Sequence, residues 1–392
     1  MPSRPAAPAL GGLALLFLKL GVLAFGGPAA HIAMMRQEVV LRRKWMSESE
    51  FLDLLGAANL IPGPSSTELA IHIGFRRAGW AGLVLAGVCF ILPAAVLVSV
   101  LAAFYQRWHN LPQIAGVMYG VKPVVVAIVL HALWGLARSA LRTPVAILAA
   151  LAGLALAALG IREIIVLLVC AAFVVAARLT SSRARSSLPV ALVLLRITPV
   201  RCFALFAAPP ATLVTSVTLG GLFLLFLKIG SITFGSGYVL LAFLQSDLVD
   251  RLHWLTSQQL LDAVAIGQVT PGPVFTTATF IGYLAGGVPG AIVSTIGIFL
   301  PGFLLVLFSG PFIPRIRQST FASALLNGAT VGSLSLIAWV LVALTRAALI
   351  DAWTAGIAVI STLLLFGARV NSAWLVLGGG VLGAVLGRYA SS

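Results

Sequence analysis

Charged residues are scarce in this chain. Only 9% of its 392 residues are Asp, Glu, Lys or Arg, whereas 60% are hydrophobic. A soluble domain carries about 25% charged residues, so a chain with so few cannot cover its surface with groups that bind water. Apolar runs of about 20 residues, the length that spans a bilayer, recur from Leu10 to Leu386. The sequence therefore predicts an all-α polytopic membrane protein.

Cysteine is nearly absent and acidic residues are few. Cys89, Cys170 and Cys202 lie far apart, with no Cys-x-x-Cys or Cys/His spacing, so neither a disulfide framework nor a metal site is expected. No cofactor is expected either. Lys and Arg number 25 against 10 Asp and Glu, which gives a net charge of +15. These basic residues lie between apolar runs, where positive-inside topology places them, so binding of nucleic acid is not expected.

One long segment occurs twice in the chain. Phe17-Leu18-Lys19 returns as Phe226-Leu227-Lys228, and Pro62-Gly63-Pro64 returns as Pro271-Gly272-Pro273, both 209 positions later. The offset has fallen to 208 by Gly120 and Gly328. Internal duplication of this kind is typical of transporters. It predicts a first repeat at residues 10–178, a basic and polar linker at 179–213, and a second repeat at 214–389.

Each repeat has a Pro-Gly-Pro motif between two short helical segments. In the first repeat these are expected at about 47–60 and 65–76, each too short to cross about 30 Å of hydrocarbon. They are predicted to form a broken, re-entrant helix pair beside about five spans per repeat. An odd number of spans would invert the second repeat relative to the first, whereas a sixth crossing would make them parallel. Basic residues crowd the first hairpin and not the second, which favours inversion with the first hairpin cytoplasmic.

The Pro-Gly-Pro motifs are also the predicted substrate site. Proline and glycine break a helix, and the helix that starts after the break offers free N–H groups and a positive dipole end to an anion. Two such starts that meet near the midplane would hold one small oxyanion; alternatively, the motifs are structural turns only. The substrate-binding residues predicted in the first repeat are Gly26, Gly27, Asn59, Pro62, Gly63, Pro64, Ser65, Ser66 and Thr67. Those predicted in the second are Gly235, Gln268, Pro271, Gly272, Pro273 and Thr276, with the Thr277 hydroxyl beside them.

Lys19 and Lys228 occupy equivalent positions inside the first apolar run of each repeat. A cation at membrane depth is costly, so both lysines are predicted to bind the anion or to compensate its charge. Alternatively, each lysine reaches an interface or pairs with an acid of the repeats, such as Asp53 or Asp262.

Five ionisable residues are predicted to take part in proton coupling, because acids near a transport path can carry coupling protons. Asp53 and Asp262 are matched, nine positions before each Pro-Gly-Pro motif, and helix capping is the alternative. Glu68, His31 and His72 lack an ionisable counterpart in the second repeat, although an isolated His or Glu more often has a packing role. A further matched pair, Glu38 and Asp247, is expected on a solvated amphipathic face.

Several longer motifs are specific enough for comparison with known families. They are Phe-Gly-Gly-Pro-Ala-Ala-His-Ile (25–32), Asn-Leu-Ile-Pro-Gly-Pro-Ser-Ser-Thr-Glu (59–68), Arg-Ala-Gly-Trp-Ala-Gly (77–82) and Phe-Ile-Leu-Pro (90–93), with Gln-Val-Thr-Pro-Gly-Pro (268–273) and Phe-Leu-Pro (299–301) in the second repeat. Over nearly its whole length the chain resembles the chromate transporter family. The resemblance implies export of chromate from the bacterial cytoplasm across the inner membrane, driven by the proton motive force as in an antiporter, with sulfate as a competing analogue. Chromate is a tetrahedral dianion, which agrees with the predicted oxyanion site.

Other classes of protein are less consistent with the sequence. A membrane-embedded enzyme would need a nucleophile with its base, or clustered His, Asp and Glu, and the sequence offers no such cluster, so enzymatic activity is not expected. A transporter or channel for sulfate or another small anion could use the same broken helices and stays open. The lipid bilayer is the expected environment, and the sequence leaves a homodimer open.

Overall fold

The structure, a computed structural model, describes residues 10–25, 27–108, 111–180, 217–234, 237–309, 319–368 and 370–390. Over these residues the chain forms helices joined by loops, with no β-strand. The helical class predicted from the sequence is confirmed. Gly26, Gly235 and the linker from residue 181 onward lie outside the described residues.

The two repeats have the same order of helices. The first contains α1 (Leu10–Leu23), α2 (Gly27–Arg36, continued by a π-helical segment at Gln37–Arg42), α3 (Glu48–Ala58), α4 (Ser65–Trp108), α5 (Pro112–Ala140), α6 (Pro144–Ala158) and α7 (Glu163–Thr180). The second contains α8 (Leu219–Ile232), α9 (Val239–Leu244, continued by a π-helical segment at Gln245–Arg251), α10 (Ser257–Val269), α11 (Thr277–Ser309, after a 3₁₀ turn at Val274–Thr276), α12 (Thr320–Ala348), α13 (Ala352–Leu363, continued by a π-helical segment at Leu364–Ala368) and α14 (Ser372–Ala390).

Matched capping residues start the helix before each Pro-Gly-Pro motif. Ser47 and Glu50 form a capping box at the start of α3, and Thr256 and Gln259 form the same box at the start of α10. Each box satisfies N–H groups that the first helical turn leaves without a partner. The two hairpins are therefore entered through the same local chemistry.

The long helices α4 and α11 are each two helices folded back on one another. The backbone leaves helical geometry at Ala78 and Gly79 in α4, and at Gly286 and Gly287 in α11. A Cβ at Gly74 would collide with the Gly82 carbonyl across the first turn, and Gly282 and Gly290 make the same approach across the second. We name the segments α4a (65–77), α4b (80–108), α11a (277–285) and α11b (288–309). The break predicted between a short hairpin helix and a following span is confirmed.

By length and composition, four helices of the described residues are able to cross a membrane: α4, α5, α11 with its preceding 3₁₀ turn, and α12. Shorter apolar helices accompany them, namely α1, α6, α8, α13 and α14. Large apolar side chains are exposed along these helices, and six tryptophans are exposed as well: Trp80, Trp108, Trp134, Trp339, Trp353 and Trp374. Exposed aliphatic surface with tryptophans suits lipid and its interfaces.

The repeats exchange helices with one another. α5 packs along α13 and α14 of the second repeat, and α12 packs along α6 and α7 of the first. Glycines allow these contacts, since a Cβ at Gly120 would collide with the Gly379 carbonyl, and a Cβ at its counterpart Gly328 would collide with Ala171. Small residues give membrane helices this close packing. Each repeat therefore completes the core of the other.

The exchanged pairs run antiparallel. Gly116 of α5 lies beside Gly383 of α14, whereas Gly120 lies beside Gly379. In the matching pair, Gly328 of α12 lies beside Ala171 of α7, whereas Gly332 lies beside Leu167. α5 also packs against its own counterpart, α12. Tyr119 near the start of α5 donates to Asp351 just after the end of α12, whereas Ala140 at the end of α5 shares a cluster with Ala324 near the start of α12. α5 and α12 therefore run in opposite directions.

Candidate functional site

The two Pro-Gly-Pro turns lie at the contact between the repeats. The backbone N–H of Gly63 donates to the carbonyl oxygen of Thr233 at 2.8 Å, and that of Gly272 donates to the carbonyl oxygen of Ala24 at 3.1 Å. Thr233 and Ala24 are 209 positions apart, as are the two glycines, so the bonds are reciprocal. Each turn is thus fixed to the end of the first helix of the other repeat.

Only glycine fits the centre of either turn. Gly63 has φ +134° and Gly272 has φ +97°, a backbone region that side-chain-bearing residues rarely adopt. A Cβ at Gly63 would collide with Glu68 Oε1, and one at Gly272 would lie 2.6 Å from the Ala94 Cβ. The turns therefore combine backbone strain with close packing.

The first turn keeps hydrogen-bond donors available. α4a begins at Ser65, and among the described residues no acceptor faces the N–H groups of Ser65 and Ser66, whereas those of Thr67 and Glu68 donate to the Pro64 carbonyl. The Thr67 Oγ1 is buried without a partner among the described side chains and backbone. Free N–H groups at a helix start, with a free hydroxyl beside them, form an arrangement suited to an anion.

The second turn has fewer polar groups to offer. Val274 and Phe275 replace Ser65 and Ser66. The hydroxyl of Thr276 donates to the Pro273 carbonyl at 2.8 Å, and that of Thr277 donates to the Val274 carbonyl at 2.8 Å. Because both hydroxyls are engaged by the turn itself, the two turns match in backbone and differ in chemistry.

His31 links the first turn to the contact between repeats. Its Nε2 lies 3.0 Å from the Ala24 carbonyl, which also accepts the Gly272 N–H, and its Nδ1 lies 3.2 Å from the Ser66 Oγ. A carbonyl only accepts, so Nε2 carries the proton and Nδ1 accepts from Ser66. The second repeat has Leu240 in this place.

Glu68 and His72 are buried one helical turn apart on α4a. Glu68 is 0% exposed and His72 is 5% exposed. Among the described residues, neither Glu68 carboxyl oxygen has a hydrogen-bond partner, nor does the His72 Nε2. Thr277 stands in the place of Glu68 in the second repeat, and Phe280-Ile281 in that of His72. Within the described part of the chain, Glu68 and His72 thus give the first Pro-Gly-Pro turn buried ionisable groups that have no matching ionisable residue at the second.

The lysines Lys19 and Lys228 pair with acids of their own repeats. Lys19 Nζ lies 2.9 Å from Glu38, and Lys228 Nζ lies 2.7 Å from Asp247. Arg42 and Arg251 complete the matched clusters, and Arg43 adds a third cation to the first. Glu38 and Asp247 are buried, so the prediction of a solvated face for them is wrong; burial becomes tolerable because each acid has cationic partners.

The matched acids Asp53 and Asp262 have diverged. Asp53 is exposed on α3, whereas Asp262 is buried on α10 and lies 3.1 Å from Lys122 Nζ and 2.7 Å from the donating Tyr105 hydroxyl. Lys122 and Tyr105 belong to the first repeat, and sequence reasoning missed both. A lysine within an apolar helix was a usable signal for Lys122.

The remaining predicted site residues include both exposed and buried positions. Asn59 is exposed at the end of α3, while its counterpart Gln268 is buried, with its Nε2 unpaired among the described residues. Gly27 begins α2 with φ +78° and open space around it. Pro62, Pro64, Pro271 and Pro273 are buried in the turns. Gly26 and Gly235 lie outside the described residues.

A cavity of about 210 Å³ is lined by Lys228 and Asp247, and a neighbouring cavity of about 380 Å³ is lined by other residues of both repeats. They share Glu163 and Asp250, and cations line them as well, namely Lys228, Arg162, Arg251 and Arg346. A charged approach therefore lies beside the start of the second repeat. No group of three or more His, Cys, Asp or Glu suited to a metal ion occurs among the described residues.

Two copies of a broken-helix unit, joined at their breaks inside a bundle of apolar helices, define a multi-pass membrane protein of the transporter type. A family model described as "Chromate transporter" matches residues 11–176 and 220–384. The chain belongs to the chromate transporter family.

Similar proteins support this assignment over most of the chain. They include a "Probable chromate transport protein" of Synechococcus elongatus, 33% identical over 343 residues, 86% of this chain and 84% of the relative. A "Chromate transport protein" of Pseudomonas aeruginosa is 35% identical over 327 residues, 82% and 77% of the two chains. One of Cupriavidus metallidurans is 30% identical over 388 residues, 95% and 92% of the two chains. No solved structure matches this chain.

The strained turns give a first prediction. Gly63→Ala and Gly272→Ala should each lower transport about ten-fold or more, because the imposed φ costs about 1–3 kcal/mol and displaces the helix start. Flux per folded molecule is the measurement. Gly160→Ala is the matched control, since Gly160 also has a positive φ (+74°) but open space around it. Full activity of both turn variants would mean that the hairpins serve as scaffold alone.

The lysine pairs give a second prediction. Lys228→Met should lower the free energy of unfolding by roughly 3 kcal/mol, because it leaves the buried Asp247 with one cation fewer. Lys19→Met should cost less, since the Lys19 side chain is 44% exposed against 12% for Lys228.

The double variant Lys228→Met/Asp247→Asn separates pairing from anion binding. If Lys228 acts only through Asp247, this variant should regain both stability and transport. A stable double variant that does not transport would instead assign Lys228 to the anion. Unfolding in detergent and flux in vesicles are measured on the same preparations.

Proposed function

We propose that this protein exports chromate from the bacterial cytoplasm across the inner membrane, as a secondary transporter driven by the proton motive force. Family membership and the names of the relatives support the substrate. The observation that carries the proposal is the reciprocal pair of bonds from Gly63 to Thr233 and from Gly272 to Ala24. These bonds tie each turn to the other repeat, and the Ala24 carbonyl that accepts from Gly272 also contacts His31, which in turn contacts Ser66 at the start of α4a.

The first turn supplies the donors for the oxyanion in this proposal. The N–H groups of Ser65 and Ser66 and the Thr67 hydroxyl are the groups left free by the local structure, and the dipole of α4a adds positive potential. A tetrahedral dianion accepts several hydrogen bonds at once, so converging donors suit it. Lys19 and Lys228 act indirectly, by keeping the acids beside the first helices neutralised.

The second turn acts as the rigid counterpart. Its hydroxyls are engaged by backbone carbonyls, and apolar Val274 and Phe275 stand where the first turn has serines. Among the described residues the N–H groups of Val274 and Phe275 have no acceptor either, but the threonine hydroxyls beside them are engaged. The Gly272 N–H holds the Ala24 carbonyl and, through it, His31. In this proposal the side chains at the oxyanion site differ between the two repeats, whereas the backbone bonds that hold the two turns are the same.

Everted membrane vesicles test the transport proposal. Energised vesicles with this protein should accumulate labelled chromate, vesicles from cells without it should not, and collapse of the proton motive force should abolish the difference. The Gly63→Ala variant is assayed in parallel and should accumulate about ten-fold less chromate. Accumulation of sulfate but not of chromate would support the alternative of a sulfate transporter, and uptake equal to that of empty vesicles would refute both. Saturation at high chromate separates a carrier from a channel.

The second part of the proposal is that the repeats are inverted, with the first hairpin on the cytoplasmic side. The opposite directions of α5 and its counterpart α12 support inversion, because parallel repeats would give these helices one direction. The basic cluster around the first hairpin supports the orientation.

Thiol labelling from each side of the membrane checks this arrangement. Lys44 and His253 are equivalent, exposed, and share a left-handed backbone (φ +49° and +52°). In a chain whose native cysteines are replaced, a membrane-impermeant reagent should reach Lys44→Cys only from the cytoplasmic side and His253→Cys only from the opposite side. Labelling of both from one side would establish parallel repeats.

A further inference from the structure

One carboxyl group at the turns has no charge partner. Glu68 is fully buried on the first turn of α4a, and neither of its oxygens has a hydrogen-bond partner among the described residues. Its Oε1 covers Gly63, at the place that a Cβ would occupy, and Gly302 of α11b lies on its other side. An ionised carboxylate enclosed in this way is far costlier than the neutral acid. The geometry therefore requires Glu68 to hold a proton in this conformation.

No cation of the described residues stands ready to replace that proton. α11 has no charged residue between Thr277 and Ser309, and Asp53 on α3 is exposed. Within α4, His72 lies one turn beyond Glu68 and Arg77 reaches the Trp45 carbonyl. Tyr283 is the titratable residue of α11, and it is not a cation. Charged groups and histidines on the other helices that contact α4 are engaged elsewhere: Lys19 with Glu38, His31 with Ser66 and Ala24, Glu48 with Arg36, Glu50 with Arg76, and Asp262 with Lys122 and Tyr105.

We infer that one oxyanion and one proton bind to this site together, with Glu68 as the proton acceptor, so that the proton moves in the same direction as the anion. This inference rests on the proposed function and specifies its coupling. Ionised Glu68 would itself be the anion beside the free N–H groups of Ser65 and Ser66, and it would repel a dianion brought to them. Protonation removes that repulsion. By linkage, a proton on Glu68 must strengthen binding of the oxyanion, and a bound oxyanion must strengthen the hold of Glu68 on its proton.

Joint transport of one dianion and one proton determines the net charge that crosses the membrane. A dianion that travels with one proton carries one negative charge, so an inside-negative potential drives it out of the cell. Antiport, which the family resemblance implies, would instead need the proton and the anion to exclude each other. A lone acid beside an anion site produces the opposite linkage, because each bound charge favours the other. Export would therefore use the electrical part of the proton motive force.

Proton uptake on binding tests the inference. The purified full-length chain in detergent is mixed with sulfate, which stays a dianion near neutral pH, in weakly buffered solution; chromate at mildly alkaline pH is the second probe. A pH indicator follows the protons while calorimetry follows binding. Glu68 that already holds its proton takes up none, so the measurement is repeated at rising pH until the anion-free chain loses that proton. There we expect uptake close to one proton per bound anion for the wild-type chain and the same for the matched control Glu48→Gln at a partly exposed acid of α3. Glu68→Gln should retain binding and take up no proton at any of these pH values.

The pH dependence of affinity gives a readout that needs no variant. Sulfate affinity of the wild-type chain should rise about ten-fold for each unit by which pH falls, wherever uptake is close to one proton. In everted vesicles, collapse of the membrane potential should abolish chromate uptake, whereas collapse of the pH gradient alone should not.

Three results would contradict the inference. Proton release on binding, or affinity that rises with pH, would overturn it in favour of antiport and leave the proposed function standing. Uptake that persists in Glu68→Gln would assign the proton to another group. If the wild-type chain binds neither oxyanion, the proposed function fails first and the inference fails with it.

Discussion

Two backbone hydrogen bonds hold the two Pro-Gly-Pro turns of this molecule in register. Each joins the glycine of one Pro-Gly-Pro turn to the end of the first helix in the other repeat, so the position of either turn depends on both halves of the chain. Since the bonds use main-chain atoms, they need no particular side chains except glycine at the turn. The side chains around the two turns can therefore differ between the repeats while both backbone bonds are kept.

The side chains show how far that freedom has been used. Around the first turn lie His31, Ser66 and Glu68, and their counterparts in the second repeat are Leu240, Phe275 and Thr277. Polar chemistry is concentrated on one turn, and the other is packed mainly with apolar groups. Within the described residues, unpaired N–H groups occur at both helix starts, but the first alone has a free hydroxyl and a buried acid beside them. One site for one oxyanion therefore follows more naturally from this arrangement than two equivalent sites.

The features that the sequence predicted well are those determined by a few neighbouring residues along the chain. Proline and glycine break helices wherever they stand, so the hairpins and the break near Gly79 were predictable, and duplication made the equivalence of Lys19 and Lys228 visible. Their partners were not predictable, because Glu38 and Asp247 become buried only through the packing of α2 and α9. The divergence of Asp53 from Asp262 likewise depends on Lys122, which approaches from another repeat. The exchange of helices between repeats leaves no local signature beyond spaced glycines.

That exchange has a consequence for any motion during transport. Because α5 is locked against α14 and α12 against α7 through glycine contacts, the boundary between mobile and stationary parts does not coincide with the boundary between repeats. If one repeat moved as a rigid body against the other, the packing of α5 on α14 and of α12 on α7 would be lost. The short hairpin helices take no part in these glycine contacts, so a motion confined to them would leave both pairs of packed helices in place.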